Sequence, residues 1–148
     1  MIVSTVIEEL ARHGSFALTT SGTSMEPLFR TGRDMVVIER PSRELRRNDV
    51  VLYRYSSGKY VLHRILRFDG DVCIIRGDNT FVLERIPRDM ILGVLVRFNR
   101  KGKSHSVTDR SYRAYVVFWR LIYPFRYLWY HFRRLAGGAY RRIFKRKK

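Results

Sequence analysis

The stretch DVVLYRYSSGKYVLHRILRFDGDVCIIR, residues 49–76, decides the fold. Its runs DVVLYRY (49–55), YVLHRILRF (60–68) and VCIIR (72–76) are rich in β-branched and aromatic residues and are cut by turn residues, which reads as successive strands. Ser56-Ser57-Gly58-Lys59 fits a hairpin loop, and Asp69-Gly70 marks the next reversal. Working outward, FALTT (16–20), MVVIE (35–39) and ILGVLVRF (91–98) have the same character. They are bounded by Ser21-Gly22, Thr31-Gly32, Asn48-Asp49 and Gly77-Asp78-Asn79. Six short strands with few helical stretches predict a mostly antiparallel β domain.

Before the strands, MIVSTVIEELARHGSF has no basic segment followed by an apolar run, and Glu8 and Glu9 interrupt any such run. It reads as a short helix rather than a signal peptide or membrane span. Thr5 is its expected N-cap, with Glu8 three residues on, and Gly14 its expected C-terminal stop.

After the strands, residues 110–148 carry 12 basic side chains and no acid, whereas residues 1–109 carry 18 basic and all 13 acidic ones. Arg113, Arg120, Arg126/Tyr127, Arg133/Arg134 and Arg141 recur about every seven residues, a basic stripe on a helix. Pro124 is the natural break between two helices because it suits a first turn. Gly137-Gly138 is expected to end or loosen the second, and Lys145–Lys148 reads as a solvated run. The organisation expected is an N-terminal helix over 1–14, a β domain over 15–100, and a basic amphipathic helical extension over 101–148.

Composition narrows the function. With 45% hydrophobic and 14% aromatic residues, a disordered chain is not expected. Cys73 is the single cysteine, so no internal disulfide can form, and the four histidines stand singly with no metal-ligand spacing. Neither a metal nor a cofactor is expected.

Taken alone, Ser24 is a turn serine and His63 a strand position. Their company changes that reading. Gly22-Thr23-Ser24-Met25-Glu26-Pro27 resembles the nucleophile box of signal peptidases and LexA-type self-cleaving repressors. Gly32-Arg33-Asp34-Met35-Val36-Val37 resembles the strand entry that follows it. Asn48-Asp49-Val50-Val51-Leu52-Tyr53 is similar to that superfamily's Gly-Asp-hydrophobic box, with Asn for Gly. Val61-Leu62-His63-Arg64-Ile65 resembles the segment of the general base, which is Lys in bacterial signal peptidases and LexA-type proteins. It is His in the endoplasmic-reticulum and archaeal type. Arg76-Gly77-Asp78-Asn79 resembles the Gly-Asp-Asn box of that His type, and Ile91-Leu92-Gly93-Val94-Leu95 its closing strand. These segments cover about residues 15–98 in order.

The resemblance implies a signal-peptidase-like serine endopeptidase with Ser24 as nucleophile, His63 as general base and Asp78 as the carboxylate that orients the imidazole. A serine hydroxyl needs such a base at neutral pH, and a third group fixes the base's tautomer. Glu84 stands about where the His type has a second acid and is a possible supporting residue. The Ser24 N–H is the first expected oxyanion donor, with Thr23 or Ser21 as a possible side-chain donor, since Gly22 replaces the hydroxyl some relatives carry there. Met25 is expected to pack beneath the turn, and Lys59 to be solvated rather than an amine base.

The implied substrates are precursor or leader peptides. Arg120, Pro124 and Arg126 make a full span of 114–132 unfavourable, so residues 110–148 are expected to lie on an anionic membrane surface, with nucleic acid the lesser partner. Without an anchor the site is expected to be cytoplasmic and peripherally membrane-associated. Two alternatives stand beside this reading. One is a self-cleaving regulatory relative, for which Ala136-Gly137 is the only Ala-Gly pair. The other is a non-enzymatic module whose basic tail binds lipid or nucleic acid.

Overall fold

The hairpin expected within 49–68 forms. Strand β3 (Val50–Arg54) pairs antiparallel with β4 (Tyr60–Asp69), Val51 opposite His63 and Tyr53 opposite Val61. The computed structural model describes the backbone of residues 2–55 and 57–145 and the side chains of residues 6–55 and 57–135. Ser56, within the expected hairpin loop, lies outside them. The loop closes through the Tyr55 N–H on the Lys59 carbonyl at 2.9 Å, with Gly58 at φ 84°.

From this hairpin the sheet extends both ways. On one side β5 (Val72–Arg76) pairs with β4 from Arg64 onward, and β6 (Glu84–Pro87) pairs with β5. On the other, β7 (Ile91–Arg100) pairs with β3, then β2 (Met35–Glu39) with β7 and β1 (Ser15–Thr19) with β2. A last strand, β8 (Lys103–Ser106), also pairs with β7. All pairings are antiparallel, and the path ends in β1 and β6.

Strand alternation divides the side chains. Val51, Tyr53, Ile65, Cys73, Ile75, Ile86, Ile91 and Val94 form one buried cluster. Each such aliphatic side chain contributes roughly 1.5–3 kcal/mol when taken from water. His63, on the same face of β4 as Ile65, sits at this cluster's edge. Arg64 points the other way.

Two strands escape the sequence reading. ERIP at β6 is charged and ends in proline, which an edge strand tolerates because the missing N–H need not pair. KSHS at β8 has little β character but follows Lys101 and Gly102, both at positive φ (52° and 77°), as a two-residue hairpin turn requires. The strand carries the β unit beyond the boundary expected at residue 100: one unit comprises Met1–Arg113 and a second Ala114–Lys148.

Helix α1 (Ile2–His13) already includes Thr5, which is an interior position and not its cap. Its apolar side chains Val6 and Leu10 are buried, a packing term that outweighs a local capping preference. Gly14, at φ 70° with its N–H on the Leu10 carbonyl, ends it as expected. Helices α2 (Arg110–Leu121) and α3 (Tyr123–Lys145) meet at Ile122, with Pro124 in the first turn of α3. Helix α3 continues through Gly137-Gly138, which therefore do not end it; two glycines cost about 2 kcal/mol of propensity, which a long helix absorbs. The side chains of Lys145–Lys148 lie outside the described residues.

Candidate active site

Ser24 lies in the loop between β1 and β2, and that loop is tied down along its length. Asp34, fully buried, accepts the Arg30 N–H at 2.9 Å and is held by the Arg33 guanidinium at 2.8 and 2.6 Å. These bonds, above all the Arg33 side chain, pull its pKa down to about 2 against the opposing effect of burial. Thr20 Oγ1 donates to the Asp34 carbonyl, and Thr31 Oγ1 to that of Gly22. Met25 is buried beneath the turn, as expected.

A second loop, Gly77-Asp78-Asn79, clips onto the first. The Asn79 N–H donates to the Ser24 carbonyl at 2.7 Å, and its side-chain amide to the Thr23 carbonyl at 3.2 Å. Gly77 permits this approach. A Cβ there would fall 2.6 Å from the Ser24 carbonyl oxygen and 3.0 Å from both Ser24 Cβ and His63 Nε2. The serine side chain and Nε2 therefore flank one point, Cβ and nitrogen at most twice that distance apart. The expected nucleophile and base are brought together, and the residue between them must lack a side chain.

The other imidazole nitrogen decides the tautomer. His63 Nδ1 stands 2.9 Å from Glu84 Oε1. Tyr53, fully buried, donates from its hydroxyl to Glu84 Oε2 at 2.7 Å and lies 3.1 Å from Nδ1. The Tyr55 hydroxyl also donates to Oε2. With an acceptor facing Nδ1, the proton of the neutral ring belongs on Nδ1, leaving the Nε2 lone pair for Ser24. Burial pulls the His63 pKa down to about 4; the charge of Asp78 opposes this and that of Lys59 adds to it. The ring is neutral at pH 7. Burial, reinforced by Glu84, raises the Tyr53 pKa, so its hydroxyl remains a donor.

Asp78, the carboxylate expected to orient the imidazole, meets Arg64. Both its oxygens take the Arg64 guanidinium, at 2.7 Å each. His63 and Arg64 are consecutive on β4 and point to opposite faces. Glu84 meets the first and Asp78 the second. Arg64 also donates to the Asn48 carbonyl and the Tyr112 hydroxyl, both at 3.0 Å. Burial alone would lower the Arg64 pKa, but the charge of Asp78 outweighs it and the guanidinium stays charged.

Thr23 is exposed, and its carbonyl accepts the Glu26 N–H. Among the described residues the backbone bonds within this turn run from Glu26 to Thr23 and from Phe29 to Met25. The Ser24 N–H takes no part in them. Lys59 is exposed.

Beside Ser24 and His63 opens a cleft of about 530 Å³, walled by Leu18 and Thr20 on one side and by Tyr60 and Leu62 on the other. Leu18 belongs to β1, which ends the sheet, and Tyr60 and Leu62 belong to the part of β4 that precedes its ladder with β5, which begins at Arg64. Among the described residues no cluster of His, Cys, Asp or Glu could hold a metal.

Two participants, Tyr53 and Tyr55, are missing from the sequence reading. Their signal was the spacing Tyr53-x-Tyr55, which carries the face of β3 that meets His63 one residue past the end of the strand. No curated protein matches the chain. The family model described as Peptidase S24-like matches residues 3–96, a segment containing Ser24, His63, Asp78 and Glu84. The chain belongs to the Peptidase S24-like family.

Proposed function

We propose that the protein is a serine endopeptidase acting on an extended segment of a peptide or protein precursor, with Ser24 as nucleophile and His63 as general base. The observation that carries this reading is the sequence of contacts from Glu84 to His63 Nδ1 and from Nε2 toward Ser24, the last two residues lining the cleft. Nε2 takes the Ser24 proton as Oγ attacks the scissile carbonyl. Negative charge builds on the carbonyl oxygen, where the Ser24 N–H is the donor at hand. The imidazolium returns its proton to the departing amine, leaving an acyl-enzyme that water hydrolyses by the same base.

The position of the cleft beside β1, which ends the sheet, supports a peptide as substrate, since an extended chain can add to a sheet edge by backbone hydrogen bonds. The Ala136-Gly137 pair lies within α3, so cleavage there in cis requires helix to unwind first, which favours substrates other than this chain. Asp78 acts at one remove, by fixing Arg64 and the Gly77-Asp78-Asn79 loop.

Incubation of purified protein with a precursor-peptide library, followed by mass spectrometry, tests the proposal. Cleavage is expected from wild type and is lost in Ser24→Ala and His63→Ala. A folded wild type that cuts nothing, or a Ser24→Ala variant that cuts normally, overturns it.

A further inference from the structure

The helical segment from Ala114 onward contributes no residue to the cleft, yet most of the exposed large apolar side chains among the described residues lie on it. Phe118, Leu121, Phe125, Leu128, Phe132 and Leu135 are spaced alternately by three and four residues and are 55% to 74% exposed. That spacing lines them along one face on each of α2 and α3. Trp129, 61% exposed, lies beside them, and Arg126 and Arg133 stand about 100° round the helix from Phe125 and Phe132, beyond Trp129. A stripe of this length in water is a surface awaiting a partner.

We infer that this face docks flat on a bilayer containing anionic phospholipid, the apolar stripe lying below the headgroups and the arginines among the phosphates. Charge selects the occupant. Residues 110–148 hold 12 basic side chains and no acid, so a second copy would bring like charge against like. Nucleic acid would satisfy the arginines but leave six large apolar side chains in water. An anionic lipid surface satisfies both at once. No helix among the described residues is long and apolar enough to cross a membrane, which fits a helix pair lying on the surface. Arg126 stacks over the Trp119 ring at 3.8 Å, an arrangement that keeps a guanidinium beside an aromatic at the depth where both are favoured.

The inference stands apart from the peptidase reading, and its test reads binding alone. The protein's two tryptophans are Trp119 and Trp129, so in full-length Trp119→Phe the emission reports Trp129. Vesicles of phosphatidylcholine with phosphatidylglycerol should shift that emission to the blue and carry the protein upward in flotation. Phosphatidylcholine alone should do neither. Phe125→Ser with Phe132→Ser should weaken binding about tenfold or more, as two buried rings return to water. Moving from low to about 0.5 M salt should weaken it by a similar factor. Unchanged emission with no flotation on anionic vesicles overturns the inference. So does a dimer that buries Trp129 without lipid, or nucleic-acid binding that leaves the vesicles bare.

Discussion

Replacing Asp78 and replacing Glu84, each by its amide, should fail in opposite ways. Asp78→Asn removes the counter-charge of Arg64, a guanidinium only 3% exposed that keeps the Asn48 carbonyl and the Tyr112 hydroxyl as neutral partners. Leaving one member of a buried pair uncompensated costs about 3–5 kcal/mol. For a unit of this size each kcal/mol lowers Tm by roughly 3–5 °C, so the expected fall is on the order of 10–20 °C. Glu84→Gln is different. The carboxylate is 20% exposed, and the amide oxygen still accepts from a tyrosine, so the loss is about 1–2 kcal/mol. The amide can, however, turn its N–H toward Nδ1, which moves the ring proton to Nε2 and removes the base's lone pair from Ser24. Reaction of Ser24 should slow by about 10²–10⁴.

Thermal unfolding by near-ultraviolet circular dichroism gives the first number. The rate of labelling by a fluorophosphonate gives the second without any need to know the substrate, measured below the melting range of both variants. A third variant isolates the cause. Arg64→Met with Asp78→Leu removes both charges and should regain most of the lost stability, because well-packed apolar replacements of a buried pair are near neutral. An Asp78→Asn protein that melts within about 2 °C of wild type and labels slowly, beside a Glu84→Gln protein that labels normally, would refute the assignment of the two acids.

The His63 pKa of about 4 predicts that Ser24 reactivity holds down to that pH, with an acid limb near 4 rather than 6.5. A limb above 6 in the pH–rate profile would mean that the charge of Glu84 outweighs burial. The same shift acts on stability. The unfolded chain protonates this histidine below pH 6.5 and the folded one only near 4, so folding loses on the order of 3 kcal/mol as pH falls across that window. Urea midpoints in His63→Gln should lack this fall. Asp34 adds a second, lower step: its pKa of about 2 lies below the usual value of 3.8, so its contribution is complete above pH 4 and disappears as pH drops toward 2. That step is roughly 2 kcal/mol and should be absent in Asp34→Asn. Gly77→Ala should destabilise by about 1–3 kcal/mol and slow labelling about a hundredfold, since its Cβ would sit 2.6 Å from the Ser24 carbonyl and between nucleophile and base. A Gly77→Ala protein labelling at the wild-type rate would show that the two groups approach by another route.

The strands legible in the sequence, the half-buried β1 apart, each hold two or more buried side chains, and burial selects the β-branched and aromatic residues that mark them. Strands β6 and β8 lack that mark. Each is four residues long with at most one buried side chain, and each pairs with the strand just before it, Glu84 opposite Ile75 and Ser106 opposite Arg97. So little buried surface leaves no run of β-branched or aromatic residues to mark them. At the start of α1, packing of Val6 and Leu10 extends the helix past the capping signal at Thr5.

The site was legible to the same depth and failed at the same place. Ser24, His63, Asp78 and Glu84 stand out as candidates, but pairing acids with bases requires knowing which face each one reaches. His63 and Arg64 are neighbours in sequence and 180° apart on a strand, so a carboxylate near one in the chain is no guide to which it meets. The deciding term is register. Glu84 stands opposite Ile75, which stands opposite Ile65, two residues from His63 and on its face; that chain of pairings delivers the carboxylate to the imidazole across β5. Asp78, just past the end of β5, comes to Arg64 on the other face. One strand thus carries the base toward the cleft and its own anchor toward the interior, and the same period of two that hides the assignment from the sequence keeps the two charge systems apart.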